Sequence, residues 1–406
     1  MDYSRNIKIL TWQGFLIGFS LWTPIAAIYF SKVSGSYILG LSIFSIANVS
    51  GAVFEIPTGL FSDLIGRKYT TMLGGLSYVL SGVFYAIGIN YWWLVAGAIM
   101  GGLGRSFYSG NNDALLYDSL NKSDRKEELE KFMGHIGSAE QWALGIAAIL
   151  GGILAAKYSF RLVMWLSVIP LFFCFFTSWW LIEIKNKEKN GGNVYLHLKE
   201  ALKNFFINKK LRLLSSSRII GFGLSESAWQ FRSVFVATLW PLWAIGIAQM
   251  LSNVGAAIGF GWSEKIIKKF KAMNILVFDI FFCKIINFVS LIFPTVASPA
   301  LMTTTSILYG PTTVIENSLL QNEFSDKQRA TMGSLNSLGK SLFFAIAAIL
   351  LGWIADKTNP RIALISAQTL SLVSAWLTLK LYRLIKKEKL LAATVEDFAD
   401  NTANLT

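Results

Sequence analysis

Residues Ile146–Arg161 read IAAILGGILAAKYSFR, and residues Ile346–Arg361 read IAAILLGWIADKTNPR. The two stretches align without a gap at an offset of 200 residues. Low complexity could produce the Ile/Ala matches. It could not also produce Gly152/Gly352, Ala155/Ala355, Lys157/Lys357 and Arg161/Arg361. The chain is therefore built as two related halves that run in the same sense.

Composition says what kind of halves they are. Residues of the AVILMFWYC set make up 53% of the 406 residues, and charged residues only 15%. Soluble domains carry about 25% charged residues. A mean hydropathy of +0.49 with 30 Phe and 14 Trp cannot be hidden in a water-soluble core of this size. This excludes disorder, coiled coil and a disulfide scaffold. Cys174 and Cys283 lie inside apolar runs. A spanning helix needs roughly 20 apolar residues, and that ruler gives twelve spans. They are expected at Ile9–Phe30, Tyr37–Phe61, Tyr69–Ile89, Trp92–Leu116, Phe132–Ala156, Leu162–Ile182, Leu213–Leu239, Leu242–Trp262, Met273–Phe293, Ala297–Leu320, Ala330–Ala355 and Ile362–Tyr382. The fold class is all-α integral membrane, in two pseudo-symmetric six-helix bundles.

Lys and Arg set the orientation. One set of loops holds Arg67, Lys68, Lys122, Arg125, Lys126, Lys209, Lys210, Lys265, Lys268, Lys269 and Lys386, among others. The alternate loops hold only Lys32, Lys157, Arg161, Lys357 and Arg361. Both termini are expected in the cytoplasm, with the chain in the plasma membrane. The net charge of +13 then reflects this asymmetry and contact with anionic lipid headgroups, not nucleic-acid binding. The expected layout is a first bundle at 1–183, a cytoplasmic linker at 184–212, a second bundle at 213–388 and a tail at 389–406. In the linker, Val194, Leu196, Leu198, Leu202, Phe205 and Phe206 suggest an amphipathic helix on the membrane surface.

Between the second and third spans stands Gly59-Leu60-Phe61-Ser62-Asp63-Leu64-Ile65-Gly66-Arg67-Lys68. It resembles the loop signature of the major facilitator superfamily, G-x-x-x-D-x-x-G-R-[KR]. Gly59 allows close helix packing, and Gly66 permits the tight turn. Ser263-Glu264-Lys265 begins a degraded second copy in the other half. Span four, with Ser109-Gly110 and then Ala114–Asp118, looks like a bacterial subgroup of that superfamily. Two departures weaken a likeness to its drug/proton antiporters. Ala98 stands where they carry an arginine, and Leu150-Gly151-Gly152 lacks their preceding proline. The resemblance implies that spans one, four, seven and ten line a cavity, flanked by two, five, eight and eleven. Opposite charges at helix ends predict that Asp63, Arg67 and Asp118 form a cytoplasmic latch between spans two and four, holding the outward-open state.

Ionisable side chains inside a bilayer cost several kcal/mol, roughly 2.5–3.5 on the lenient scale, and normally face a cavity or a partner. Candidate cavity residues are Glu55, Arg105, Asn112, Asp113, Glu140, Gln141, Glu226, Trp229, Gln230, Glu316, Asn317 and Lys340. Arg105, Ser109 and Asn112 fall on one helical stripe if span four is continuous. Gly310-Pro311 should kink span ten. Asp279 and Lys284 read as structural. Glu140 and Lys340 share the 200-residue offset with opposite charge. Glu55 is the expected partner of Lys340, and Gln249 or Asn253 that of Glu140. An unpaired carboxylate there can exchange protons, which makes Glu140 the coupling candidate and Lys340 a gate or anion contact.

No Walker loop, catalytic triad or zinc pattern occurs, so no enzyme activity, cofactor or metal is expected. The expected function is a monomeric secondary transporter. It would move a small organic solute by alternating access, as proton-coupled export. The alternatives are proton-symport uptake of a metabolite, and a non-transporting receptor or scaffold on the same fold.

Overall fold

The computed structural model describes residues 3–184, 205, 207–323 and 329–403. Five of the six linker positions singled out above, Val194, Leu196, Leu198, Leu202 and Phe206, lie outside the described residues, as does the side chain of Asp63. Helices fill the expected spans in order. Spans two, three, five and six are Tyr37–Ile65, Arg67–Ile87, Leu129–Lys157 and Phe160–Thr177. Spans seven, eight, nine and eleven are Lys209–Val236, Leu242–Phe270, Ala272–Ile292 and Arg329–Lys357.

The other four are interrupted. Span one is Ser4–Gly18 and Ala26–Ser34, joined by a 3-10 turn at Thr23–Ile25. Span four is Tyr91–Tyr108 and Asn111–Lys122, broken where Gly110 takes φ +70. The stripe expected through Arg105, Ser109 and Asn112 is therefore cut, because no helix turn connects its members. Span ten is Ser298–Thr304 and Tyr309–Asn322 around a 3-10 segment, so the expected kink is present. Gly310 is needed there, since a Cβ would sit 2.3 Å from the Phe260 nitrogen of span eight. Span twelve is Pro360–Leu370 and Leu372–Ala403, so helix continues through the stretch read as a tail.

Among the described residues, nine helices are long and apolar enough to cross a bilayer. Spans four, seven and ten do not qualify. Two of them are broken, and span seven carries Arg218, Glu226 and Arg232. These are three of the four spans expected to line a cavity, where polar side chains have somewhere to go.

Each bundle packs its own six spans, and the bundles meet through span two on span eleven and span five on span eight. Lipid tails are as apolar as leucine, so close packing and small residues hold such contacts. A Cβ on Gly246 would lie 2.0 Å from the Ala148 carbonyl, and one on Gly352 would lie 2.6 Å from the Ile38 Cα. All these contacts lie toward one face, here called the far face. It carries the turns at 35–36, 158–159 and 358–359. There a single core joins both halves through Phe30, Leu41, Phe231 and Phe344, each 0% exposed. Toward the near face, which carries both termini, the cores separate. Ile7, Leu115 and Leu181 pack within the first bundle, and Leu214, Leu320 and Leu381 within the second. Among the described residues, the hydrogen bonds joining the two halves are Tyr37 and Ile38 to Asp356, and Ser45 to Ala345, all on the far side. The molecule is closed at the far face and cleft at the near face.

Candidate functional site

The near-face loop between spans two and three is built around Gly66 at φ +98. Its missing side chain leaves room for Glu183, whose carboxylate a Cβ would meet at 2.7 Å. Glu183 accepts the backbone N–H groups of Arg67 and Lys68 at 3.0 and 2.8 Å. It thereby caps the start of span three and places a negative charge at its positive end. The Arg67 side chain pairs with Asp118, which is 6% exposed. Asn111 fastens the same corner, donating to the Arg67 carbonyl and to Thr71 Oγ1 while accepting from Ser62. Every one of these bonds lies within the first bundle. The Arg67–Asp118 pair is made while the near face is open. Gly59 meets no neighbour here, since an added Cβ has nothing within 4 Å. The close packing expected of it is absent because the near-face cleft is open.

Above this loop, a cavity of about 220 Å³ lies within the first bundle. Its lining includes Gln13, Tyr78, Tyr108, Asn112, Asp113 and Glu140. Glu140 packs on Gly18 of span one. It has no ion-pair partner among the described residues, and no hydrogen bond joins it to Gln249 or Asn253. Asn112 accepts from Thr71 Oγ1 at 3.0 Å. Gln141 and Glu55 are exposed. Arg105 donates to Asn48 Oδ1 at 2.9 Å and makes no ion pair among the described residues.

The second bundle is anchored differently. Arg218, 7% exposed, donates from Nε to Glu316 Oε2 at 3.1 Å and from its terminal nitrogen to Asn317 Oδ1 at 2.7 Å. It clamps span ten just after the kink. Arg218 was not among the sequence candidates, although Arg218, Phe222, Glu226 and Gln230 follow one another at i+4 on span seven. Lys340 does not pair with Glu55. Its ammonium lies 5.4 Å over the Phe222 ring. The Phe222 face gives the cation a partner within its own bundle, while Glu55 is exposed. Glu226 accepts from Gln230 Nε2 at 2.9 Å, and Trp229 beside it is half-buried. Arg105 of the first bundle and Glu226 of the second form no ion pair among the described residues. Lys284 donates to Gln368 and Ser371, which fits a structural role for span nine.

The chain belongs to the major facilitator superfamily, whose family model matches residues 10–342. It is 29% identical to the inner membrane transport protein YajR of Escherichia coli (strain K12) over 38% of this chain and 33% of that protein. It is 28% identical to the multidrug resistance protein MdtG of Yersinia enterocolitica, over 49% of this chain and 50% of that one. The chain thus spans about half or less of the length of these curated relatives. The solved nucleoside transporter NupG superposes with a TM-score of 0.72 at 13% identity, over 94% of this chain and 99% of that one. A bacterial homologue of the lysosomal transporter Spinster, in an inward-facing and unoccupied conformation, gives 0.71 at 14% identity over 95% and 98%. These likenesses confirm the fold.

Proposed function

We propose that the chain is a secondary active transporter that moves a small organic solute carrying both charge signs. It works by alternating access and exports the solute in exchange for protons. The observation that carries this reading is that Arg105 and Glu226, an embedded cation and an embedded carboxylate on opposite bundles, form no ion pair among the described residues: Arg105 donates to Asn48 and Glu226 accepts from Gln230. A solute with an anionic and a cationic end would complete both. The Lys/Arg asymmetry supports a cytoplasmic near face. Export is supported by the name of the MdtG relatives. Glu140, unpaired in its own cavity, is the coupling residue, and Lys340 is a gate. The loop Gly59–Lys68 with Asp118 governs the near-face gate.

Flux in proteoliposomes tests this. Arg105→Ala should cut flux of a zwitterionic solute at least about tenfold and spare its monocationic analogue. Glu226→Gln should weaken both, because both carry the cationic end. If neither change distinguishes the two solutes, the charge-pair site is wrong.

A further inference from the structure

We propose that Asp356 is the far-face gate of this protein. It would hold the bundles shut while the cleft is open at the near face, and release when the cleft opens at the far face. Asp356 stands in the last turn of span eleven, in the second bundle. Its Oδ1 accepts the backbone N–H of Tyr37 at 2.7 Å, and its Oδ2 that of Ile38 at 2.9 Å. Those two residues begin span two, in the first bundle, so each bond crosses between the halves. The first N–H groups of a helix have no partner within it. Ser36 Oγ accepts that of Leu39, and the Ser36 carbonyl accepts that of Gly40. Tyr37 and Ile38 alone depend on the other bundle. A carboxylate is the best acceptor there, because its charge also opposes the positive end of the helix.

The surrounding contacts fit a closing surface. One turn before Asp356, Gly352 presses its bare backbone on the Tyr37 carbonyl and the Ile38 Cα. The Tyr37 ring meets the Phe231 ring edge-on at 5.2 Å, again across the halves. Lower on the same seam, Ser45 donates to the Ala345 carbonyl at 3.2 Å. The twin seam between spans five and eight has no such carboxylate. The repeat position of Asp356 is Ala156, and Pro241 precedes span eight. That seam brings bare backbone together, with Gly152 on the Trp243 carbonyl and Gly246 on Ala148, and among the described residues no hydrogen bond crosses it. The polar lock is therefore one-sided. The repeat matches Gly, Lys and Arg around position 356 but not the aspartate itself, which points to a job that one half performs for both.

The test uses two single-cysteine reporters in the full chain, with Cys174 and Cys283 replaced by Ser. Ala348→Cys lies in the far-face seam, where Ala348 is 0% exposed. Gly137→Cys lies in the near half of span five, where an added side chain meets nothing. A maleimide that cannot cross the bilayer is applied to each face in turn. Asp356→Ala should raise Ala348→Cys labelling roughly 2- to 30-fold, the range expected for loss of a helix N-cap, and Asp356→Asn, which keeps one acceptor oxygen but loses the charge, should raise it less. They should lower Gly137→Cys labelling at the same time, and Asp356→Glu should restore both toward the parent. Unchanged labelling at Ala348→Cys overturns the proposal. So does a rise at both reporters, which means general loosening. The readout is conformational, so it stands or falls independently of the solute.

Discussion

Arg161 and Arg361, 200 positions apart, close two different helices in the same way. Arg161 donates from Nε to the Ala86 carbonyl at 3.3 Å, at the end of span three. Arg361 donates to the carbonyls of Leu291 and Ile292, each at 2.6 Å, at the end of span nine. Both place a cation at the negative end of a helix and satisfy carbonyls that have no partner within it. Two positions before each arginine, Ser159 and Asn359 cap the next span by accepting from Leu162 and Ile362. The repeat in the sequence thus reflects the same junction built twice. Arg361→Ala should cost about 1–2 kcal/mol and Arg161→Ala about 0.5–1 kcal/mol. Thermal unfolding in detergent ranks them, and an equal loss would contradict the difference in bonding.

The seam between spans five and eight should tolerate no added carbon at Gly246. A methyl there would sit 2.0 Å from a backbone carbonyl, which cannot swing aside. Gly246→Ala should cost about 1–3 kcal/mol by overpacking. Gly145→Ala on the same seam should be near neutral, because its nearest contact is the flexible Met250 side chain at 3.8 Å. Unfolding midpoints of the pair decide it, and parity would mean that the seam is looser than drawn.

Removing Arg218 should leave Glu316 uncompensated at the kink of span ten. The Glu316 side chain is 35% exposed, so water screens part of the loss. Arg218→Ala is expected to cost about 1–3 kcal/mol. Adding Glu316→Gln should recover some of that, since no lone charge then remains. A double mutant no better than the single would show that packing, not charge, is what Arg218 supplies.

Glu140→Gln should abolish flux driven by a pH gradient yet leave counterflow exchange of solute intact. The amide keeps the shape of the side chain and cannot carry a proton. Gradient-driven flux that survives the change would remove Glu140 from coupling.

Much of the architecture was legible because a bilayer imposes simple rules on length and charge. The spans came from apolar runs, and the halves from Ile146–Arg161 and Ile346–Arg361. The flanking position of spans two, five, eight and eleven came from family likeness. The site was less legible, for a physical reason. Helical period tells which residues share a stripe but not which helix that stripe faces. Asp356 meets Tyr37 across 319 residues, and Glu183 meets Arg67 across 116. No local pattern announces either partner. The span-four stripe failed for a different reason. Gly110 was visible in the sequence, but its φ of +70 was not.

Two groups of glycines on the four seam spans behave differently. Gly152, Gly246 and Gly352 are pressed against backbone in the far half, while Gly59, Gly137, Gly261 and Gly333 in the near half have nothing within 4 Å. Two kinds of mutational scan should therefore disagree along the same helices. A scan that reads protein abundance should find the far glycines intolerant and the near ones silent. A scan that reads transport should find both intolerant, because the proposed alternating access brings the vacant near halves together once in every cycle. Bulk introduced there would yield a well-folded protein that completes half a turnover and stops.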